Sequence, residues 1–278
     1  MSERGGGPQK KKEGYIHGYS KAEQKRLAAQ SRFLEPMVFA GVDFSGCRRV
    51  LEIGCGVGAQ TRILLERFPR IFVQGVDVSP AQIEQAEKNL AGPIAQGRAR
   101  VQAADAERLP FADKSFDGAF FCWVLEHLQR PAAVLREARR VLKPGAVLYG
   151  IEVQNESLYL YPECPAVMAY WKQYNAAQED VGGDPCVGAK AGNLLRQAGF
   201  TGVAVSAWTR HYDQRDRAAF KRMIDYWERL LLSVAPQLLA AGRVDAKLIR
   251  AVKREHRALK AHREGVFFYT PLKFSALR

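Results

Sequence analysis

The sequence predicts a doubly wound α/β fold: a seven-stranded, mostly parallel sheet with helices on both faces. Three observations carry that expectation. Short apolar runs alternate with helix-patterned segments from residue 50 onward. The first run enters a glycine-rich turn, Gly54-Cys55-Gly56-Val57-Gly58, which leads straight into a helix. The first three runs each finish at or beside a carboxylate: Glu52, Asp77 and Asp105. Strand, tight turn and helix in that order build a ligand crevice at the carboxyl edge of a parallel sheet, and strands separated by whole helices take right-handed crossovers.

Residues 1–14 are rich in Gly and Lys and lack an apolar stretch, so they read as a disordered basic tail and not a signal peptide. Tyr15-Ile16-His17-Gly18-Tyr19 is a compact aromatic segment, and Ser20-Lys21-Ala22-Glu23 is a capping box opening a helix to about residue 39. Together, residues 15–45 make an N-terminal helical lid. The main domain, 46–278, then runs strand 50–53, helix 59–68 and strand 71–76 ending at Asp77. Ser79 caps the next helix, which has Pro80 at its first position and runs to about 90. Strand 100–104 ends at Asp105, strand 116–122 follows, and helix 131–142 comes next. Lys143-Pro144-Gly145 breaks the chain before strand 146–153. A helix at 187–198 and a strand at 203–208 complete the alternation, interrupted by substrate-side insertions at about 155–186 and 209–264. The closing run, 266–274, is an aromatic strand whose Pro271 suits an edge position.

At 278 residues the chain can bury one substantial core and carry insertions. No apolar run approaches the roughly 18 residues of a membrane helix, and the five cysteines form no Cys-x-x-Cys pair, which suits reduced thiols in the cytoplasm. The formal charge of +13 is unevenly placed. Residues 1–50 carry a net +5 and 209–264 a net +7, leaving the rest nearly neutral. Basic flanks either solubilise helix faces or meet an acidic partner. His256 and His262 are six apart on one helix, on different faces, so no metal site is read.

The glycine spacing is not the dinucleotide fingerprint, which needs a further glycine after two intervening residues. Gly-x-Gly-x-Gly instead lets the backbone pass close under an amino-acid moiety, with Glu52 for an ammonium. Asp77 is placed to accept from ribose hydroxyls, and Asp105-Ala106 to take an adenine amino group. At this point residues 50–150 resemble the class I S-adenosylmethionine-dependent methyltransferases. The matching pieces are Leu-Glu-Ile-Gly-Cys-Gly-Val-Gly, Gly-Val-Asp-Val-Ser, Ala-Asp-Ala-Glu-Arg-Leu-Pro-Phe, Ser-Phe-Asp-Gly, Leu-Glu-His-Leu and Arg-Val-Leu-Lys-Pro-Gly-Ala. The flavour is that of the ubiquinone/menaquinone-type and natural-product small-molecule branch. The resemblance implies S-adenosylmethionine as cofactor and S-adenosylhomocysteine as product. It places Glu52, Gly54, Cys55, Gly56 and Gly58 at the amino acid, Asp77 and Val78 at the ribose, and Asp105, Ala106 and Cys122 around the remainder. Tyr15, His17 and Gln30 would close over it.

Methyl transfer needs positioning, a dry pocket and a nucleophile, with a base useful for a hydroxyl or protonated amine. The candidate bases are His127, Glu126, Glu152 and His211, with His127, Glu152 and His211 taken forward. Glu126-His127 recurs in this branch across unrelated substrates, so it also reads as structural, and Glu152 either faces the crevice or caps the turn at Asn155. Trp123 either stacks a flat acceptor or is a core residue, while Asn155, Tyr170, Tyr174 and Tyr212 are expected to touch the acceptor. Cys122-Trp123-Val124-Leu125 stands where methyltransferases of exocyclic base amines carry Asn/Asp-Pro-Pro-aromatic, which counts against that chemistry. The expectation is a monomer or homodimer acting on a small metabolite, nitrogen or sulfur slightly favoured for want of an evident base, and an anionic or aromatic acceptor favoured by the basic insertion. The alternative is an RNA or protein methyltransferase using the basic flanks.

Overall fold

The computed structural model describes residues 16–18 and 20–278; the tail 1–14, Tyr15 and Tyr19 lie outside them. Ser20 caps α1 (Lys21–Val38), its hydroxyl accepting from the Glu23 amide at 3.2 Å. The core then alternates through β1 (Arg49–Ile53), α2 (Ala59–Arg67), β2 (Phe72–Asp77), α3 (Pro80–Asn89), the extra short helix α4 (Ala91–Ala95), β3 (Ala99–Ala103), β4 (Phe116–Cys122), α5 (Pro131–Val141) and β5 (Leu142–Glu152). β6 (Tyr159–Tyr161), α6 (Pro165–Asp180), α7 (Val187–Gln197), β7 (Thr201–Ala207) and β8 (Arg210–Tyr212) follow, then α8 (Arg217–Leu232), α9 (Ala235–Ala240), α10 (Ala246–Ala261), β9 (Val266–Tyr269) and β10 (Leu272–Leu277).

Seven strands form the main sheet in the order β3-β2-β1-β4-β5-β10-β7, parallel except that β10 runs antiparallel to both neighbours. The order reverses between β1 and β4, which opens a crevice beyond their carboxyl ends. Apolar side chains cover both faces. Val134, Leu135, Ala138 and Val141 of α5 recur at helical spacing and join α7 on one face. Ile63 and Leu64 of α2 join Leu34, Met37 and Val38 of α1 on the other. Lys273, reaching from β10, donates to the carbonyls of Met37 and Ala40 and fastens the end of α1 to the sheet; burial pushes its pKa down to about 8.

The two insertions fold together. α6, α8, α9 and α10 pack around a second, three-stranded sheet, β6-β9-β8, with their own aromatic core. Two sequence expectations are corrected. The run 266–274 is not one edge strand, because the chain breaks at Thr270-Pro271. β9 completes the small sheet, and β10 enters the main sheet between β5 and β7. Lys143-Pro144-Gly145 does not precede the fifth strand but lies within β5, absorbed by an irregularity between the pairs Phe116–Leu142 and Gly118–Val147.

Candidate active site

A cavity of about 350 Å³ opens over the carboxyl ends of β1 and β4 and continues beneath the helical cap. Its floor is the glycine turn. Gly54 and Gly58 have φ of 72° and 74°, and each packs where no side chain fits: a Cβ on Gly54 would lie 2.5 Å from Val124, one on Gly58 2.6 Å from Leu90. At Gly56 an added Cβ would meet nothing nearer than 3.9 Å, so this is the open, ligand-side glycine. Gly54, Cys55 and Gly56 line the cavity, while Gly58 packs against α3 and Glu52 lies behind the turn. Thr61 donates to the Glu52 carboxylate at 2.5 Å, and burial pushes that carboxyl up to about 8.

Asp77 accepts from the amides of Gly56 and Ser79, both at 2.9 Å, which ties the turn to the end of β2; burial raises its pKa. Beside it, Val78 is 69% exposed on the cavity wall, an apolar surface that a nucleobase or ribose would cover. Asp105 and Ala106 continue the wall, and Asp105 accepts from the Glu107 amide at 2.9 Å. Gln60 donates to Cys122, 3.5 Å away, and carries a buried Oε1 without a hydrogen-bond partner among the described residues. The pieces fit a ligand with an amino-acid end, a ribose and a base.

The segment before α1 reaches across to the helices of the insertions. His17 is buried, its Nε2 2.9 Å from the Tyr174 hydroxyl and its Nδ1 2.6 Å from Ser233 Oγ, and Gln237 donates to its carbonyl. Burial, and then the charges of Arg26 and His127, hold its pKa well below the usual imidazole value. Gln30 accepts from Arg26, which is ion-paired with Glu23 at 2.6 Å, and both Gln30 and Arg26 line the cavity.

After β4 the chain turns sharply. Trp123 takes a left-handed φ of 57° and lines the cavity. Glu152 is fully buried, and one of its oxygens accepts from the amides of Val124 and Leu125 at 2.7 and 2.6 Å. It neither lines the cavity nor caps the Asn155 turn; it clamps the loop that presents Trp123, Glu126 and His127. His127 is on the wall with its Nε2 3.7 Å from Glu126, whose other oxygen accepts from Gln178.

Beyond this loop the wall becomes aromatic: Trp171 and Tyr174 from α6, Tyr226 and Trp227 from α8, Phe267 and Tyr269 from β9. Asn155 also lines it, accepting from the Tyr269 hydroxyl at 2.9 Å. Besides Glu52, Gly58 and Glu152, three more expected residues are elsewhere. Tyr170 is buried in the cap, donating to the Leu231 carbonyl at 3.0 Å. His211 points outward and contacts Arg215, because in a strand it must face opposite to Arg210 and Tyr212. Tyr212 faces inward but stops behind Arg210, which donates to its hydroxyl. Sequence reasoning missed Arg210, Trp227 and Tyr269; alternation along β8 and β9 was the available signal for the first and last, and the apolar helical spacing Phe220, Met223, Ile224, Trp227, Leu231 on α8 for Trp227. All but one of the insertion's basic residues stay off the cavity wall as well. Lys247, Arg250, Lys253, Arg254 and Arg257 of α10 are exposed, and among the basic residues of 209–264 Arg210 is the one on the cavity wall, counting described residues.

Residues 51–150 match the family described as methyltransferase domain. The O-methyltransferase cnsE of Penicillium expansum is 31% identical over 197 residues, covering 69% of this chain and 67% of that protein. The chain belongs to the class I S-adenosylmethionine-dependent methyltransferases. Its methyl donor is therefore S-adenosylmethionine, and the glycine-turn end of the cavity has the form expected of its site. The ubiquinone/menaquinone biosynthesis C-methyltransferase UbiE of Desulfotalea psychrophila is 38% identical over 100 residues, 36% of this chain and 39% of that one. Several curated relatives are matched over only about half their length, as with the 52% of the O-methyltransferase resE of Aspergillus sclerotiorum. The methyltransferase fold extends beyond the matched segment: phosphoethanolamine N-methyltransferase 2 of Haemonchus contortus, solved with S-adenosyl-L-methionine, superposes with a TM-score of 0.54 at 17% identity, over 91% of this chain and 52% of that one. No described helix is long and apolar enough to cross a membrane.

Proposed function

We propose that this methyltransferase acts on a hydroxyl oxygen of a small, flat acceptor held in the aromatic half of its cavity. The observation that carries the reading is continuity: one cavity joins Gly54, Gly56, Asp77 and Asp105 to Trp171, Trp227, Phe267 and Tyr269. Gly54, Gly56, Asp77, Val78 and Asp105 would hold the cofactor, which supplies an activated sulfonium methyl when bound. The chain's own task is to orient the acceptor, exclude water and accept a proton. Aromatic faces orient a planar ring by offset stacking. His127 lies on the cavity wall and would take the hydroxyl proton, with Glu126 3.7 Å away to stabilise the resulting imidazolium. This pair supplies the base whose apparent lack favoured nitrogen or sulfur in the sequence, and the names of the O-methyltransferase relatives support oxygen as well.

An RNA or protein acceptor has less support, since the exposed cations of α10 contribute nothing to the cavity wall. Five unpaired cysteines suit a cytoplasmic enzyme, and residues 15–45 suit a lid on a domain spanning 46–278. The test is a competition among 2-naphthol, 2-naphthylamine and 2-naphthalenethiol with deuterium-labelled S-adenosylmethionine, products read by mass spectrometry. Label on the naphthol oxygen supports the reading, with His127→Gln lowering kcat about 100-fold or more. Label confined to nitrogen, sulfur or added RNA overturns it.

A further inference from the structure

Three buried donors without a hydrogen-bond partner among the described residues belong to the cavity wall in or beside its aromatic half. Trp227 Nε1 and Trp123 Nε1 are buried on residues lining the cavity and have no hydrogen-bond partner among the described residues. Arg210 Nε is in the same state. Indole and guanidinium are donors only and cannot reverse their role. The acceptors nearby are already used: the Asn155 carbonyl takes the Trp171 indole at 3.0 Å, its side-chain oxygen takes the Tyr269 hydroxyl, and the Asn175 side-chain oxygen takes the Asn155 amide. Buried polar groups in native proteins are normally matched, so a group of unmatched donors around a cavity calls for a ligand rich in acceptors.

Charge narrows the ligand further. Of the two arginines on the wall, Arg26 is neutralised by Glu23 at 2.6 Å, whereas Arg210 pairs with no carboxylate among the described residues. Arg210 is held in place from behind, its guanidinium 5.1 Å from the centre of the Tyr212 ring and donating to the Tyr212 hydroxyl. On β8 it stands opposite Tyr269 of β9, and the Trp227 ring lies 5.1 Å from the Tyr269 ring. A cation and an indole donor thus both neighbour one aromatic residue that lines the cavity.

We propose that Arg210 and Trp227 form an anion subsite that holds a carboxylate of a planar acceptor, anchoring it with its reactive group toward Trp123 and His127. This rests on the reading of the aromatic half as the acceptor site. A carboxylate meets the guanidinium with charge-assisted hydrogen bonds and accepts from the indole as well. The enzyme's substrates would then be flat hydroxy acids, and the class of reaction supplying them is one that leaves a free carboxylate on a ring system.

The test is calorimetric titration of protein saturated with S-adenosylhomocysteine, using 2-naphthoate and 2-naphthalenemethanol, which share a ring system and differ in charge. The naphthoate is expected to bind at least tenfold more tightly. Arg210→Gln should abolish that preference while leaving binding of the alcohol and of S-adenosylhomocysteine unchanged, which also shows that the variant folds. Trp227→Phe, which keeps a ring and loses the donor, should weaken the naphthoate about threefold or more and the alcohol far less. Equal binding of the two probes, or a preference that survives Arg210→Gln, overturns the subsite while leaving the acceptor-site reading intact. If neither probe binds, both fall.

Discussion

Replacing Glu152 with Ala tests the loop that presents Trp123, Glu126 and His127 to the cavity. One oxygen of this fully buried side chain accepts from both the Val124 and Leu125 amides at 2.7 and 2.6 Å. An unmatched buried donor costs about 1–3 kcal/mol, so losing the acceptor for two of them should destabilise by about 3 kcal/mol. In a chain of this size that lowers Tm by about 6–12 °C. Glu152→Gln keeps an acceptor oxygen in the same place. It also relieves the repulsion from Glu126 that, after burial, raises the Glu152 pKa well above the carboxylate range, so it should cost under about 1 kcal/mol. The assay is urea unfolding at pH 7 of wild type and both variants, with Kd for S-adenosylhomocysteine measured alongside. The Ala variant should also lose turnover through a displaced Trp123-Val124-Leu125 loop, while the Gln variant retains most of it. An Ala variant within about 0.5 kcal/mol of wild type would refute the clamp, and loss of turnover in the Gln variant alone would make Glu152 a proton acceptor instead.

Three further outcomes follow from the same geometry. Asp77→Ala should weaken S-adenosylmethionine binding by about 1–3 kcal/mol, as for a charge-assisted hydrogen bond lost from a partly buried site; an unchanged calorimetric affinity would remove Asp77 from the site. Gly54→Ala should destabilise by about 2 kcal/mol or more, because it adds left-handed strain to a 2.5 Å approach to Val124, and Val124→Ala in the same chain should recover part of that loss in urea unfolding. Glu52 has a folded pKa of about 8 against an ordinary 4.5, so between those values the folded protein holds a proton that the unfolded chain releases. Its contribution to the stability of the cofactor-free protein therefore falls as pH rises from about 4.5 to 8, and Glu52→Gln should be stabilised relative to wild type by more at pH 8.5 than at pH 5.5. Equal differences at the two pH values would contradict this.

The first half of the chain was legible because its signals are local. The strands ending in acids, the glycine turn and the Ser20 and Ser79 caps each follow from neighbours in sequence, and each stands within a residue or two of its expected place. The second half was not, because its structure is decided by distant partners. Nothing local in Val266 to Leu277 says that the halves either side of Pro271 belong to different sheets. The acceptor residues show the same division. Tyr170 and Tyr174 share a helix face, yet one is sealed against Leu231 and the other meets the cavity, a matter of depth that spacing does not encode. His211 was chosen for its chemistry, while Arg210 beside it has the inward position; strand alternation separates the two, but only the packing of β9 tells which face is inward.

The account turns on where the cofactor lies, and a crystal structure of the protein with S-adenosylhomocysteine tests that most directly. The cavity geometry predicts the amino-acid end over Gly54 and Gly56, the ribose at Asp77, the base between Val78 and Asp105-Ala106, and an open aromatic compartment beyond Trp123. Density for the nucleoside among Trp171, Trp227 and Tyr269, or away from the glycine turn altogether, would contradict it.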